Sequence, residues 1–162
     1  MPDAAGWLAW LHGTALSTAM RGNPWMYPMV EIVHIAGFAL LVGSVAMFDL
    51  RLLGFGRTLP VTGLARLLLP WSVASLLLVV PAGLILFAAQ PLELAANRLF
   101  QVKLLLIALA GVNAALFHAG AYRAVAAWNT GAPAPPLARL HAVVSLALWV
   151  AVISCGRLLA YV

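Results

Sequence analysis

The chain has 162 residues, of which 65% are hydrophobic and 8% charged, whereas a soluble domain carries roughly 25% charged residues. So few charges cannot solvate a surface, which excludes a water-soluble globule and calls for lipid around most of the chain. The net charge of +5 comes from Arg and Lys scattered between apolar blocks, a membrane-flank pattern that argues against nucleic acid as a partner.

Chain order gives the following elements. The stretch from Trp7 to Met20, interrupted by His12 and Gly13, reads as an interfacial helix over about 5–20. It lacks the basic start and continuous apolar run of a cleaved signal peptide. Arg21-Gly22-Asn23-Pro24 breaks it, and Trp25 and Tyr27 stand where an aromatic belt belongs. A helix needs about 20 apolar residues to cross a bilayer. Four segments qualify, at roughly 27–48, 64–89, 100–122 and 137–161. The connections are short. One, from Asp49 to Thr62, carries Arg51 and Arg57; another, from Gln90 to Arg98, carries Glu93. The third, Gly131-Ala132-Pro133-Ala134-Pro135-Pro136, is a turn that no helix runs through. Pro70 and Pro81 lie inside the second span, where proline is tolerated and tends to kink the helix. The expected fold is all-α: one integral membrane domain over 1–162, a four-helix bundle with an N-terminal interfacial helix. Arg51, Arg57, Arg66, Arg123 and Arg139 fall on one side and Arg21, Arg98, Lys103 and Arg157 on the other. That bias favours both termini outside the cytoplasm.

Ionisable groups inside spans are costly and tend to face the bundle interior, so Glu31, His34, Lys103, His118, His141 and Arg157 are the informative positions. Glu31 and His34 are three residues apart and share a helix face. Lys103 opens the third span and Arg157 closes the fourth, both on the side of Glu31. Two readings follow for Glu31: a structural ion pair with Lys103 or Arg157, or a functional group that carries a proton or orients His34. His118 lies fifteen residues after Lys103, about 22 Å deeper. Gly111 and Ala115 precede it near the same face, leaving either close helix packing or a slot for a flat ring. His141 stands on the fourth span in the same half as His118. A bis-histidine pair is therefore conceivable there, alongside a packing role for each histidine. Cys155 is alone, which excludes a disulfide framework, and there is no CxxCH for covalent haem. Hydrolytic motifs are lacking too. Trp71, Trp128 and Trp149 read as interface anchors or packing residues.

Several strings taken together carry a resemblance: Glu31-Ile-Val-His34-Ile-Ala-Gly37, Leu41-Val-Gly43-Ser44, Asp49-Leu-Arg51-Leu-Leu-Gly54, Pro70-Trp71, Ala96-Asn97, Phe100-Gln-Val-Lys103, Asn113, Phe117-His118, Ser145-Leu146 and Gly156-Arg157. They resemble a family of small bacterial four-span membrane proteins of unknown function. More distantly, a histidine early in the first span with Lys-Leu opening a later one is similar to the HemJ-type protoporphyrinogen oxidases and the CopD copper-resistance proteins. The HemJ likeness implies a b-type haem associated with His34 and Lys103, without implying the enzyme activity, because the loops and the spacing from the lysine to the next histidine depart from that family.

Three functions are therefore expected as alternatives. The first is a b-type haem protein moving electrons in or across the membrane. In it His34 is an axial ligand, Lys103 or His118 lies opposite, and cationic side chains such as Arg157 meet the propionates; a quinone or a periplasmic electron-transfer protein is its redox partner. The second is a CopD-like copper-handling or transport protein using Met20, Met26, Met29 and His34. The third is a cofactor-free structural subunit of a larger membrane complex.

Overall fold

The computed structural model describes residues 4–161. It is all-helical, with no strand among the described residues. The helices are α1 (Ala4–His12), α2 (Ala15–Gly22), α3 (Met26–Leu53), α4 (Val61–Ala89), α5 (Pro91–Ala96), α6 (Arg98–Ala119) and α7 (Pro136–Leu158), with a 3-10 segment, Ala121–Ala127, between α6 and α7. Four of them, α3, α4, α6 and α7, are long and apolar enough to cross a membrane.

The expected spans hold and their ends move. The first runs five residues further than the sequence pattern suggests, so Asp49 and Arg51 lie inside α3 rather than in a connection. The third stops at Ala119, and Tyr122 belongs to the 3-10 segment instead. The single interfacial helix resolves into two, because the chain turns at Gly13 and restarts at Thr14, whose hydroxyl accepts from the Ser17 backbone N–H. Between the second and third spans sits the short helix α5, opened by Pro91 in its first turn. Trp128 is buried in the core rather than anchored at an interface.

The chain divides into two compact units, and α3 and α4 contribute to both. One holds Met1–Leu41 and Val73–Arg98, the other Val42–Ser72 and Leu99–Val162. In the first unit, α1 packs on α5 and α2, and Trp7 stacks at a tilt on Phe87. Arg21 at the end of α2 donates to the Ala89 carbonyl at 2.9 Å and to the His12 carbonyl at 2.9 Å, and also reaches Ser17. One guanidinium thus joins α1, α2 and the last turn of α4. The first part of α3 meets α4 at Gly37, where a Cβ would come within 2.9 Å of Leu78 Cβ. Only glycine permits that approach.

In the second unit all four long helices supply the core. Phe48 and Leu52 of α3, Val61, Ala65 and Leu68 of α4, Phe117 of α6, and Ala138 and Ala142 of α7 pack together with Trp128 and Ala134 from the last connection. Phe48 and Phe117 meet edge to face at 5.9 Å. The alanines of α7 let this helix lie close against its neighbours.

Arg51 is the largest fully buried side chain, at 2% exposure. Its Nε donates to the Leu59 carbonyl at 2.7 Å, and Nη2 donates to the Arg57 and Asn129 carbonyls at 3.2 and 3.1 Å. The turn it holds reverses through Gly54 and Gly56, both at positive φ. The same two connections are stitched further by Val61 N–H to Asn129 O, Gly131 N–H to Arg57 O and Thr62 N–H to Asn129 Oδ1. We expect Arg51→Met, which keeps the volume and removes the donors, to cost about 3 kcal/mol, because each charge-assisted bond is lost and its carbonyl stays buried. Arg57→Met at an exposed position should leave stability nearly unchanged. Reversible unfolding of both variants in mixed micelles measures the difference.

Candidate functional site

The intramembrane histidines are the groups best placed for chemistry, and each is oriented by a distinct local device. His34 is half-buried on α3 and its Nδ1 lies 3.0 Å from the Val79 carbonyl of α4. A carbonyl only accepts, so Nδ1 carries the proton and Nε2 the lone pair. The ring reaches α4 because position 83 is glycine: a Cβ there would stand 3.0 Å from His34 Cε1.

His141 is half-buried on α7. Its Nδ1–H donates to Asn113 Oδ1 at 2.8 Å, and Asn113 Nδ2 donates back to the His141 carbonyl at 3.0 Å. This reciprocal pair joins α6 to α7. His118 is exposed in the last turn of α6 and donates Nδ1–H to the Ala114 carbonyl at 2.8 Å. Its ring packs against Phe117 and Tyr122, each at 5.2 Å between centroids. Phe117 also meets His141 at 6.0 Å. The two histidines of this unit are thus brought to one buried phenyl ring, though each has its own hydrogen-bond partner.

All three imidazoles therefore carry hydrogen on Nδ1 and keep the Nε2 lone pair, the tautomer in which histidine ligates a metal through Nε2. His12 is the opposite. Arg21, which can only donate, lies 3.3 Å from its Nδ1, so the proton of neutral His12 is on Nε2.

Glu31 is exposed on α3 and belongs to the same unit as His34, whereas Lys103 and Arg157 belong to the other unit. Lys103 is half-buried on α6, its Nζ 3.6 Å from where a Cβ on Gly156 would stand. Arg157 is exposed, lies 4.6 Å from the Tyr161 ring centre and donates to its hydroxyl. Of the methionines considered for copper, Met20 is fully buried under α2 while Met29 is exposed. Among the described residues no group of three or more His, Cys, Asp or Glu side chains is arranged to hold a metal ion.

The placement of two polar residues escapes the sequence reading. Asn113 is a lone polar residue in an apolar run, and nothing in its spacing announces the clamp to His141. Asp49 looks like a loop charge. It is in fact 5% exposed and lies beside Ser145 of α7, and its Oδ2 is buried without a hydrogen-bond partner. Continuation of the apolar stripe Leu41, Ser44, Phe48, Leu52 past residue 48 is the signal that places it within the helix.

No family model, curated protein or solved structure matches the chain.

Two measurements test this geometry. Histidine side-chain 15N spectra of the neutral protein should assign the Nδ1–H tautomer to His34, His118 and His141 and the Nε2–H tautomer to His12. Separately, Asn113→Leu should lower stability by about 1 kcal/mol, since two interhelical bonds in a membrane protein average near 0.6 kcal/mol each.

Proposed function

We propose that this protein is a b-type haem-binding membrane protein of the bacterial inner membrane that takes part in electron transfer, with His34 as an axial ligand. The observation that carries the reading is the His34 bond to the Val79 carbonyl. It fixes the ring on α4, sets the tautomer that presents Nε2 as the ligating atom, and raises the basicity of that atom. Position 83 deepens the fit, because glycine there is what lets the ring lie against α4.

His118 supports the reading for a second ligand in the other unit. Nothing stands within 4 Å of a Cβ placed on Gly111, and Ala115 is exposed. The small side chains before His118 are thus not filled by a neighbouring helix of this chain, which favours a slot for a flat ring over the packing alternative. A bound haem would supply one-electron chemistry. The protein would hold the imidazoles in the ligating tautomer. A quinone or a periplasmic electron carrier would be the exchange partner, and both chain ends would face the periplasm. The likeness to the HemJ type points the same way for His34.

The experiment is an absorption spectrum of protein purified after expression with haem supplied. The parent should show a Soret band that sharpens and shifts on reduction, and His34→Ala should lose at least half of it while still folding. A colourless parent sinks the proposal, as does a folded His34→Ala protein with the full band and the parent's midpoint potential.

A second reading has its own support. Only Ala110 and Phe117 of α6 are buried, so the chain covers little of this helix. A bare helix with small residues at 111 and 115 suits a structural subunit that docks beside a larger membrane complex. A colourless protein that copurifies with one assembly, and loses it on Gly111→Leu, would favour this reading.

A further inference from the structure

The core of the second unit contains a group that neither the packing nor the histidine chemistry uses. Asp49 lies on α3 one turn before its end at Leu53, roughly 6 Å inside. It is 95% buried, from an exposure of 5%. Ser145, itself buried on α7, lies beside the carboxyl group. Oδ2 is buried with no hydrogen-bond partner. No positive charge compensates the group. Arg51, two residues on, is committed to the Leu59, Arg57 and Asn129 carbonyls. On α7 the titratable side chains are Arg139, His141, Cys155 and Arg157. His141 is bound to Asn113 and Arg157 to Tyr161. On the part of α4 in this unit the charged residue is Arg66, which is exposed. On α6 the charged or titratable groups are Arg98, Lys103 and His118, with Lys103 set beside Gly156 and His118 bound to Ala114. None of these forms an ion pair with Asp49 among the described residues.

Such a carboxyl group is not matched by the fold in either protonation state. Ionised, it keeps a buried oxygen with no donor. Neutral, it keeps a hydroxyl with no acceptor. A purely structural role would be better served by an acid with a second partner. A metal cation is a poor occupant, because two carboxylate oxygens and one hydroxyl fall well short of the roughly six oxygens a hard cation takes. The ligand that needs one lone pair and no further donors is a proton.

We propose that Asp49 and Ser145 form a buried binding site for one exchangeable proton in the second unit. Uptake forms an O–H bond at Oδ2 and release breaks it, the proton arriving from and returning to water as hydronium, with no electron transferred. Ser145 Oγ–H, beside the carboxyl group, stabilises the ionised form. The site stands independently of haem.

The chain's composition makes the test direct. Its aspartates are Asp3 and Asp49, so Asp3→Asn protein labelled with 13C at the aspartate carboxyl carries one reporter. In reconstituted protein, that carboxyl infrared band should convert between protonated and ionised forms with pH while the protein stays folded. The protonated band should shift in D2O, and the midpoint should be unchanged when choline replaces sodium. Ser145→Ala, which keeps the carboxyl group, should displace the midpoint, and adding Asp49→Asn to the labelled Asp3→Asn protein should abolish the titrating band. A band that holds one form across the folded pH range overturns the proposal. A midpoint that moves with sodium overturns it in favour of an alkali cation. Haem content is irrelevant to each readout, so failure here is separable from failure of the electron-transfer reading.

Discussion

Lipid offers no hydrogen-bond partners, so each polar group that a spanning helix buries has to be matched from within the chain. This constraint accounts for most of the polar architecture. Arg51 is enclosed only because two connections turn their carbonyls toward it. Asn113 and His141 satisfy each other in both directions. Ser72 and Ser154 return their hydroxyls to carbonyls of their own helices. Where no side chain is within reach, backbone serves, as Val79 does for His34. Asp49 is the exception, and an exception to so general a rule is where function is sought.

The constraint also explains why glycine and alanine sit where they do. A hydrogen bond between helices requires the axes to come close, and the side chains beside the bond decide whether they can. Gly37 and Gly83 flank the His34 contact on two helices, and each would place a Cβ within about 3 Å of the opposite surface. On α7, Ala138 and Ala142 are fully buried beneath Phe117 and Trp128. Small residues thus do the positioning, while a few larger rings fill the space that remains.

The four spans were legible in the sequence because lipid imposes a length and an apolar composition that nothing else in a chain of this size produces. Their ends were not. Asp49 and Arg51 look like loop charges until Arg51 is seen folding back onto the connections, which allows α3 to continue through both. The short helix α5 has too few residues for a periodic signal, and the break at Gly13 depends on capping by Thr14. For the candidate site, composition singled out His34, His118 and His141. It could not indicate their tautomers, since these are set by Val79, Ala114 and Asn113, residues chosen by three-dimensional proximity.

The Arg51 clasp joins residues that the ribosome makes at different times. Its bonds to Arg57 and Leu59 span six and eight residues, while the bond to Asn129 spans 78. At a synthesis rate of 5–20 residues per second, roughly 4–16 s separate the two ends of that last bond. During this interval a guanidinium must wait at the membrane surface, partly paired and still hydrated, while two more spans are made. The second unit is therefore sealed late, from its connections inward, and helices arriving before then remain free to adjust their register.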